Sequence, residues 1–448
     1  MTLKARGIFM SAANTTFLIV SSVLVFFMTP GLAFFYGGLV SRKNVVNTML
    51  SVFFICGIAV LLYVAVGYEL SFNGDIGGII GKVHHFFLSG VDLTKIVNKD
   101  LGINTGAYLI FEMMFAIITP ALFVGAIVGR MRFNFLLAFI VLWSIFIYYP
   151  MVHIVWSTTG FLAKFGVLDF AGGTVVHINA GVTALVLSIF LGRRLGFGKK
   201  KPQPYNLPWV LLGTTILWIG WYGFNAGSAL GMNDIAVQAF LTTTVATGAS
   251  LVTWMILDMI VVGKPTLQGT CTGTLCGLVG ITPACGFVTA GGAFWIGAIS
   301  TVVSYWFITK IKPILKYDDP LDAFGCHGIS GIVGSILTGA FASKAANSGI
   351  AHNGLFYGGG FSQLGLQIVG TLFTIVFVTV MVCVIVLILK LFVKMRVNEK
   401  EELTGLDQSE HGEFADYTVA EVSNTADISK YSGEFQGQLA HLNNPPKQ

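Results

Sequence analysis

The chain has 448 residues, of which 54% are hydrophobic and only 10% are charged, with a net charge of +5. Soluble globular domains carry about a quarter charged residues, so the composition excludes an ordinary soluble domain. It indicates an all-α polytopic membrane protein, for which we expect membrane lipid around the chain and no nucleic-acid partner.

The first apolar stretch, residues 14–40, is too long for the apolar region of a signal peptide and has no small-residue cleavage site. We therefore interpret it as the first transmembrane helix. A helix crosses a bilayer with about 20 mostly apolar residues, and ten more such stretches follow. The eleven predicted spans are 14–40, 45–70, 106–129, 133–156, 171–192, 207–230, 235–262, 266–284, 289–309, 324–342 and 364–393.

Basic residues are distributed unequally between the two sets of loops. The loops after odd-numbered spans contain Arg42, Lys43, Arg130, Arg132, Arg193, Arg194, Lys199, Lys200, Lys201, Lys264, Lys310, Lys312 and Lys316. The loops after even-numbered spans contain only Lys82, Lys95, Lys99, Lys164 and Lys344. Because positive charge marks the cytoplasmic side, the N-terminus is predicted outside and the C-terminus inside.

The last part of the chain has a different composition. Residues 1–396 are apolar with an excess of basic residues, whereas residues 397–448 are polar and strongly acidic. We predict a transmembrane domain over 1–396 and a cytoplasmic tail over 397–448. By composition alone, such a tail is either a solvated segment or a regulatory docking segment.

Two histidines lie inside predicted spans, His177 in span five and His327 in span ten. Each is preceded by a Leu-Asp pair, which places Asp169 and Asp322 in similar positions. Since the two spans are five apart, helices 1–5 and 6–10 would run in opposite senses. This arrangement predicts a pseudo-twofold inverted repeat in which the two rings meet near the bilayer centre.

Three interpretations of the histidine pair are open. They are separate buried histidines with local hydrogen bonds, or metal ligands, or a polar pair that lines a narrow pathway. No cysteine or carboxylate completes a metal coordination shell nearby, so we expect no metal and no cofactor. A neutral imidazole donates or accepts one hydrogen bond at each nitrogen, which suits a small hydrogen-bonding solute or a proton.

Aromatic residues and one serine accompany these histidines in the segments "FEMMFAIITPA", "HIVW" and "GWYGFNAGS". Aromatic faces attract cations by about 0.5–2 kcal/mol, although most aromatic residues in membrane helices simply pack. A potassium filter sequence is absent. The pattern therefore favours a cation that can lose a proton. The candidate residues are Phe111, Phe115, Trp156, Trp221, Phe224 and Ser228.

Five segments are specific enough to suggest a family: "DFAGGTVVHINAG", "GWYGFNAGSA", "GLVGITPACG", "DDPLDAFGCHGISGIVG" and "GLDQSEHGE". With them, the sequence closely resembles the Amt branch of the ammonium transporter family (Amt/Mep/Rh), from about residue 14 to Tyr417. The resemblance implies an eleven-helix subunit with the N-terminus outside and the C-terminus inside. It also implies a pseudo-twofold inverted repeat, a homotrimer with one pore per subunit, and the cell membrane as location.

The resemblance also implies roles for individual residues. The correspondences are the twin pore histidines His177 and His327, the phenyl gate Phe115 and Phe224, the outer ammonium site Phe111, Trp156 and Ser228 with Asp169 as its acidic support, and the pore-lining Trp221. In the implied mechanism, ammonium is held outside and deprotonated near the gate. Ammonia then passes the histidines while the proton moves separately, so that transport is electrogenic.

Glu112 departs from the family pattern, because Amt proteins commonly have an uncharged residue there, often glutamine. Its carboxylate either strengthens cation recruitment or pairs with a neighbour. On a helix, Glu112 is rotated by about 100° from Phe111, so it is not required to face the pore.

The tail segment "EELTGLDQSEHGEFADY" resembles the cytoplasmic segment that couples subunits in the family, where a PII-class signal protein is the partner of prokaryotic members. Two functions other than ammonium transport remain open: an ammonium sensor with little flux, and an Rh-like channel for neutral gas. Trp156 and Ser228 speak against the gas channel. An enzyme is not expected, since no nucleophile–base set or nucleotide motif is present.

Overall fold

The computed structural model describes residues 9–199 and 203–416, which form a bundle of long helices with one small hairpin. The α-helices are α1 (Ala12–Leu39), α2 (Val45–Leu62), α3 (Tyr68–Phe72), α4 (Thr105–Leu122), α5 (Phe133–Trp143), α6 (Tyr149–Trp156), α7 (Phe161–Phe165), α8 (Asn179–Leu191), α9 (Leu207–Gly227), α10 (Asp234–Val261), α11 (Leu267–Ile281), α12 (Ala290–Trp306), α13 (Lys312–Leu315), α14 (Ser330–Phe341), α15 (Ser362–Leu389) and α16 (Glu399–Thr404).

Shorter elements connect or extend these helices. The π-helical segments are Tyr63–Gly67, Ser144–Tyr148, Gly173–Ile178, Phe307–Ile311, Phe324–Ile329 and Asp407–His411. The 3-10 turns are Arg42–Asn44, Phe86–Leu88, Phe123–Ala126 and Leu355–Tyr357. Strands β1 (Ile96–Asn98) and β2 (Ile103–Asn104) form an antiparallel hairpin before α4.

The prediction of an all-α polytopic membrane protein is confirmed. Within the described ranges, ten helical segments are long and apolar enough to cross a membrane, and each matches a predicted span. The predicted eighth span contains α11, which has 15 residues and is shorter than a usual span. The number of eleven crossings and the orientation stay predictions. Below, the face where α1 begins is called the outer face, and the opposite face the inner face.

The two histidine-bearing segments pack reciprocally, as an inverted repeat requires. The segment Gly173–Ile178 leads into α8 and packs against α14, whereas Phe324–Ile329 leads into α14 and packs against α8. Glycine makes both contacts close. A Cβ atom at Gly181 would lie 2.2 Å from the backbone nitrogen of Gly328, and one at Gly331 would lie 3.1 Å from Cβ of His177.

The structural counterpart of Asp169 in the second half is Asp319, not the predicted Asp322. The carboxylate of Asp319 accepts hydrogen bonds from the N–H groups of Ala323 and Phe324, at 3.1 and 2.8 Å. The first N–H groups of a helical segment lack partners within it, so a carboxylate at that end is favourable. Asp322 instead has a left-handed backbone (φ 57°) and pairs with Lys312.

The described part of the acidic tail folds back onto the inner face. A capping box at Asn398 and Glu401 begins α16. The guanidinium nitrogens of Arg132 lie 2.8 Å from a carboxylate oxygen of Glu401 and 3.2 Å from one of Glu410. A guanidinium nitrogen of Arg396 lies 2.8 Å from a carboxylate oxygen of Glu402. The N–H of Asn398 and then Arg132 lower the pKa of Glu401. Residues 397–416 therefore form a docked segment, and 417–448 lie outside the described residues.

Candidate functional site

The structure brings the rings of His177 and His327 together, with centroids 5.5 Å apart and planes within 10°. Both side chains are buried, at 1% and 2% exposure. Neither ring nitrogen of His177, nor Nδ1 of His327, has a hydrogen-bond partner among the described residues. Buried polar atoms are normally bonded, so this pair is not the pair of locally bonded histidines that one interpretation supposed. Its nitrogens can serve a small solute.

Trp221 covers His177 from one side, with ring centroids 5.3 Å apart and an angle of 15°. The Trp221 indole N–H donates a hydrogen bond of 2.9 Å to the hydroxyl oxygen of Thr282. Thr282 in turn donates to the carbonyl of Leu278 at 2.8 Å, so the indole is held in one orientation. Sequence reasoning missed Thr282, although it lies in "GLVGITPACG", one of the segments that carried the resemblance.

Phe115 of α4 and Phe224 of α9 form a close pair, with centroids 4.3 Å apart and planes at 31°. Both rings are almost fully buried. Phe224 also lies 5.9 Å from His177, so the phenyl pair directly adjoins the histidine pair. A hydrated ion cannot pass two contacting phenyl rings, because they leave no room for its water.

A second group of side chains adjoins the phenyl pair on its outer side. The rings of Phe111 and Trp156 lie 5.0 and 5.6 Å from that of Phe115. The lack of a side chain at Gly227 leaves room for Phe111, because a Cβ atom at Gly227 would lie 2.7 Å from the phenyl ring. Next to it, the half-buried Ser228 donates its hydroxyl to the carbonyl of Phe224 at 2.9 Å. The serine oxygen keeps its lone pairs for a donor such as ammonium.

This geometry is an aromatic outer site, a phenyl closure and a buried histidine pair in one row. Residues 16–416 match the model of the Ammonium Transporter Family. The chain belongs to this family. It is therefore one of a family of membrane transporters, not an enzyme.

Individual relatives agree with this family. An ammonium transporter of Aquifex aeolicus is 47% identical over 407 residues, which cover 91% of this chain and 94% of the relative. The crystal structure of Mep2 from Candida albicans superposes with a TM-score of 0.80 at 29% identity, covering 88% of each chain. A structure described as a sensor Amt protein gives a TM-score of 0.81 at 29% identity, covering 89% of this chain and 98% of that one.

In this family member, Asp169 forms hydrogen bonds with two of the elements that build the site, the start of the His177 segment and Trp156. Its carboxylate accepts hydrogen bonds from backbone N–H groups and one hydroxyl at the start of the segment that carries His177, at 2.5 to 3.2 Å. These donors are Gly172, Gly173, Thr174 and Val175. Its carbonyl accepts the Trp156 indole N–H at 3.0 Å. The carboxylate is thus occupied by the chain itself, and Asp169 holds both the start of the His177 segment and the ring of Trp156 in place.

Glu112 lies on a different side of α4 from the phenyl rings. It is buried, at 8% exposure. Its carboxyl interacts electrostatically with the hydroxyls of Tyr63, Tyr68 and Tyr148, which belong to predicted spans two and four. Phe111 and Phe115 instead contact the aromatic residues of the outer site and the closure. Glu112 therefore lies beside the row of aromatic residues without belonging to it.

Within the ranges 9–199 and 203–416, no group of three or more His, Cys, Asp or Glu side chains is arranged to hold a metal ion. All six cysteines are free thiols, and five of them are buried.

Proposed function

We propose that the chain carries ammonium across the membrane as ammonia and a separate proton. The observation that carries this proposal is that a closed phenyl pair adjoins a buried pair of histidines, and that three of the four ring nitrogens have no hydrogen-bond partner among the described residues. Phe115 and Phe224 supply the closure, and His177 and His327 supply the polar atoms behind it.

Recruitment takes place at the outer site. The faces of Phe111 and Trp156 attract a cation, while the Ser228 oxygen accepts one N–H of ammonium. Together these contacts replace part of the water shell of the ion. Ammonium is favoured there over a neutral gas, because cation–π attraction requires a charge.

Passage requires loss of the proton. Moving a bare cation into a dry apolar channel costs several kcal/mol, whereas neutral ammonia does not carry that penalty. Ammonia then crosses the phenyl pair and exchanges hydrogen bonds with the nitrogens of His177 and His327. Potassium cannot shed a proton and is rejected. If the proton crosses by its own route, net transport is electrogenic.

The setting of this activity is part of the same proposal. We place the protein in the plasma membrane as a homotrimer, with residues 1–396 as the transport domain and a cytoplasmic C-terminal tail over 397–448. The tail is regulatory, and a PII-class signal protein is the proposed partner at the inner face. The docking of residues 397–416 against inner-face arginines supports a regulatory segment.

A sensor is the second candidate. The structure described as a sensor Amt protein has the same fold at 29% identity, so the fold serves both kinds of protein. A sensor binds ammonium at the outer site and signals with little turnover.

Proteoliposomes with the purified protein distinguish the two candidates. After an ammonium pulse, a transporter gives an inward transient current whose decay rate rises with the protein density, and a potassium pulse gives none. A small charge displacement with a decay that ignores protein density indicates binding without turnover. That result would replace transport by the sensor function.

A further inference from the structure

A buried cluster of one carboxyl and several phenols is formed by residues of α4 and of predicted spans two and four. Glu112 is the acid. The tyrosines whose hydroxyls it influences are Tyr63, Tyr68, Tyr108 and Tyr148. The hydroxyls of Tyr63 and Tyr148 are buried and have no hydrogen-bond partner among the described residues. The cluster is therefore polar, buried and incompletely hydrogen-bonded within the described residues.

Over residues 9–199 and 203–416, no positive charge compensates Glu112. Among the described residues it forms no ion pair and no hydrogen bond, although it is nine-tenths buried. The helices α1, α2 and α8 also pack against α4, yet within the described part of the chain no charged group from them acts on Glu112. An unpaired buried carboxylate is strongly unfavourable, so Glu112 in its charged form is a strong acceptor for a proton. The phenols can donate to the carboxylate and accept from the acid.

The cluster reaches the level at which ammonium is held. Glu112 follows Phe111 directly and precedes Phe115 by less than one turn. Consecutive helical residues differ by about 1.5 Å in height, so the carboxyl lies at the depth of the outer site and the closure. Intramembrane acids of this kind commonly mark proton or ion routes.

We propose that Glu112 binds the proton that ammonium releases during transport. One N–H bond of ammonium breaks and its electron pair stays on nitrogen, while the proton forms an O–H bond with the Glu112 carboxylate. The acid then gives the proton to a water molecule, which becomes hydronium, and the carboxylate is restored. This inference rests on the proposed transport function and adds the residue that takes the proton.

The first test compares Glu112→Gln with the full-length wild type in proteoliposomes. Glutamine keeps the size and polarity but cannot be charged, so we expect the ammonium current to fall by about tenfold or more. We also expect its pH dependence to change. Glu112→Asp keeps a carboxyl and should retain part of the current. Asp234→Asn removes an exposed carboxylate on the outer face and should leave current and pH profile unchanged.

The second test is infrared difference spectroscopy of the purified protein during a pH titration and after an ammonium pulse. A carboxylic-acid C=O band that responds to both and disappears in Glu112→Gln supports the proposal. An unchanged current and pH profile in Glu112→Gln overturns it, whatever the band shows. If the wild type gives no ammonium current, transport fails as the function. In that case, a band that responds to ammonium still shows that Glu112 takes up a proton, and a band that does not respond overturns the role of Glu112 as well.

Discussion

His177 shows how individual residues create the site. Its ring lies against Trp221 and faces His327, and its nitrogens have no partner among the described residues. Aromatic contact therefore holds the ring in place while the polar atoms remain free for a solute. A histidine fixed by hydrogen bonds to the chain would be rigid as well, but its nitrogens would be occupied.

Replacement of His177 by alanine tests this arrangement. We expect His177→Ala to fold, since it removes side-chain atoms without burying a new polar group. The variant loses one hydrogen bond to the solute, worth about 1.4 kcal/mol, so we expect the ammonium-specific flux to fall about tenfold. The other expected outcome is a loss of discrimination against potassium. The proteoliposome current after ammonium and potassium pulses measures both. His352→Ala, in an exposed loop, is the control. Wild-type current with wild-type discrimination would show that the pore role is wrong.

At the scale of elements, the two halves meet through glycines that follow the histidines. Gly181 of α8 contacts the backbone of Gly328, and Gly331 of α14 contacts His177. These approaches bring the two histidine-bearing segments close enough for the rings to face each other. The same positions are vulnerable, because a methyl group has no space at the first contact and little at the second.

Gly181→Ala should destabilise the protein by about 1–3 kcal/mol, the usual penalty for overpacking. Its Cβ would lie 2.2 Å from a backbone nitrogen, which cannot move as easily as a side chain. Gly248→Ala in α10 is the matched control, since nothing lies within 4 Å of its Cβ and alanine favours a helix by about 1 kcal/mol. Thermal unfolding in detergent measures the difference. Equal midpoints for the two variants would contradict the close contact.

At the scale of the whole molecule, the tail connects to several inner loops. Besides the contacts of Arg132 and Arg396, Lys43 donates hydrogen bonds of 2.7 Å to the carbonyls of Glu402 and Leu403. Burial lowers the pKa of Lys43, although the nearby Glu402 acts in the opposite direction. The docked tail thus spans loops that follow different transmembrane helices, and a partner that binds the tail would be linked to all of them.

Arg132→Gln should loosen the tail by about 1 kcal/mol, or roughly fivefold in the docking equilibrium. A glutamate-specific protease should then cleave the segment 399–413 faster. The contribution of Glu401 has a defined pH dependence: since docking lowers its pKa, this contribution is present above the ordinary carboxyl pKa and disappears as the pH falls through the lowered value. Lys264→Gln changes an exposed inner-face charge and serves as control. Equal cleavage rates for both variants would contradict a contribution of Arg132 to holding the docked segment.

The sequence alone determined the helical membrane class, the position of the spans, the family resemblance and the candidate pore residues. These follow from local information, because hydropathy and short motifs do not depend on the rest of the chain. The number of spans between the two histidines, which is five, also predicted that they belong to the two halves of an inverted repeat.

Only the tertiary structure decided which acid begins the second histidine segment, which residue holds Trp221 and which side of α4 carries Glu112. Asp319 and Asp322 are equally acidic in sequence, but only the backbone path places Asp319 over free N–H groups. Thr282 and the tyrosines around Glu112 lie on separate helices. Their proximity depends on how those helices pack, and contacts between distant parts of a chain leave no local pattern.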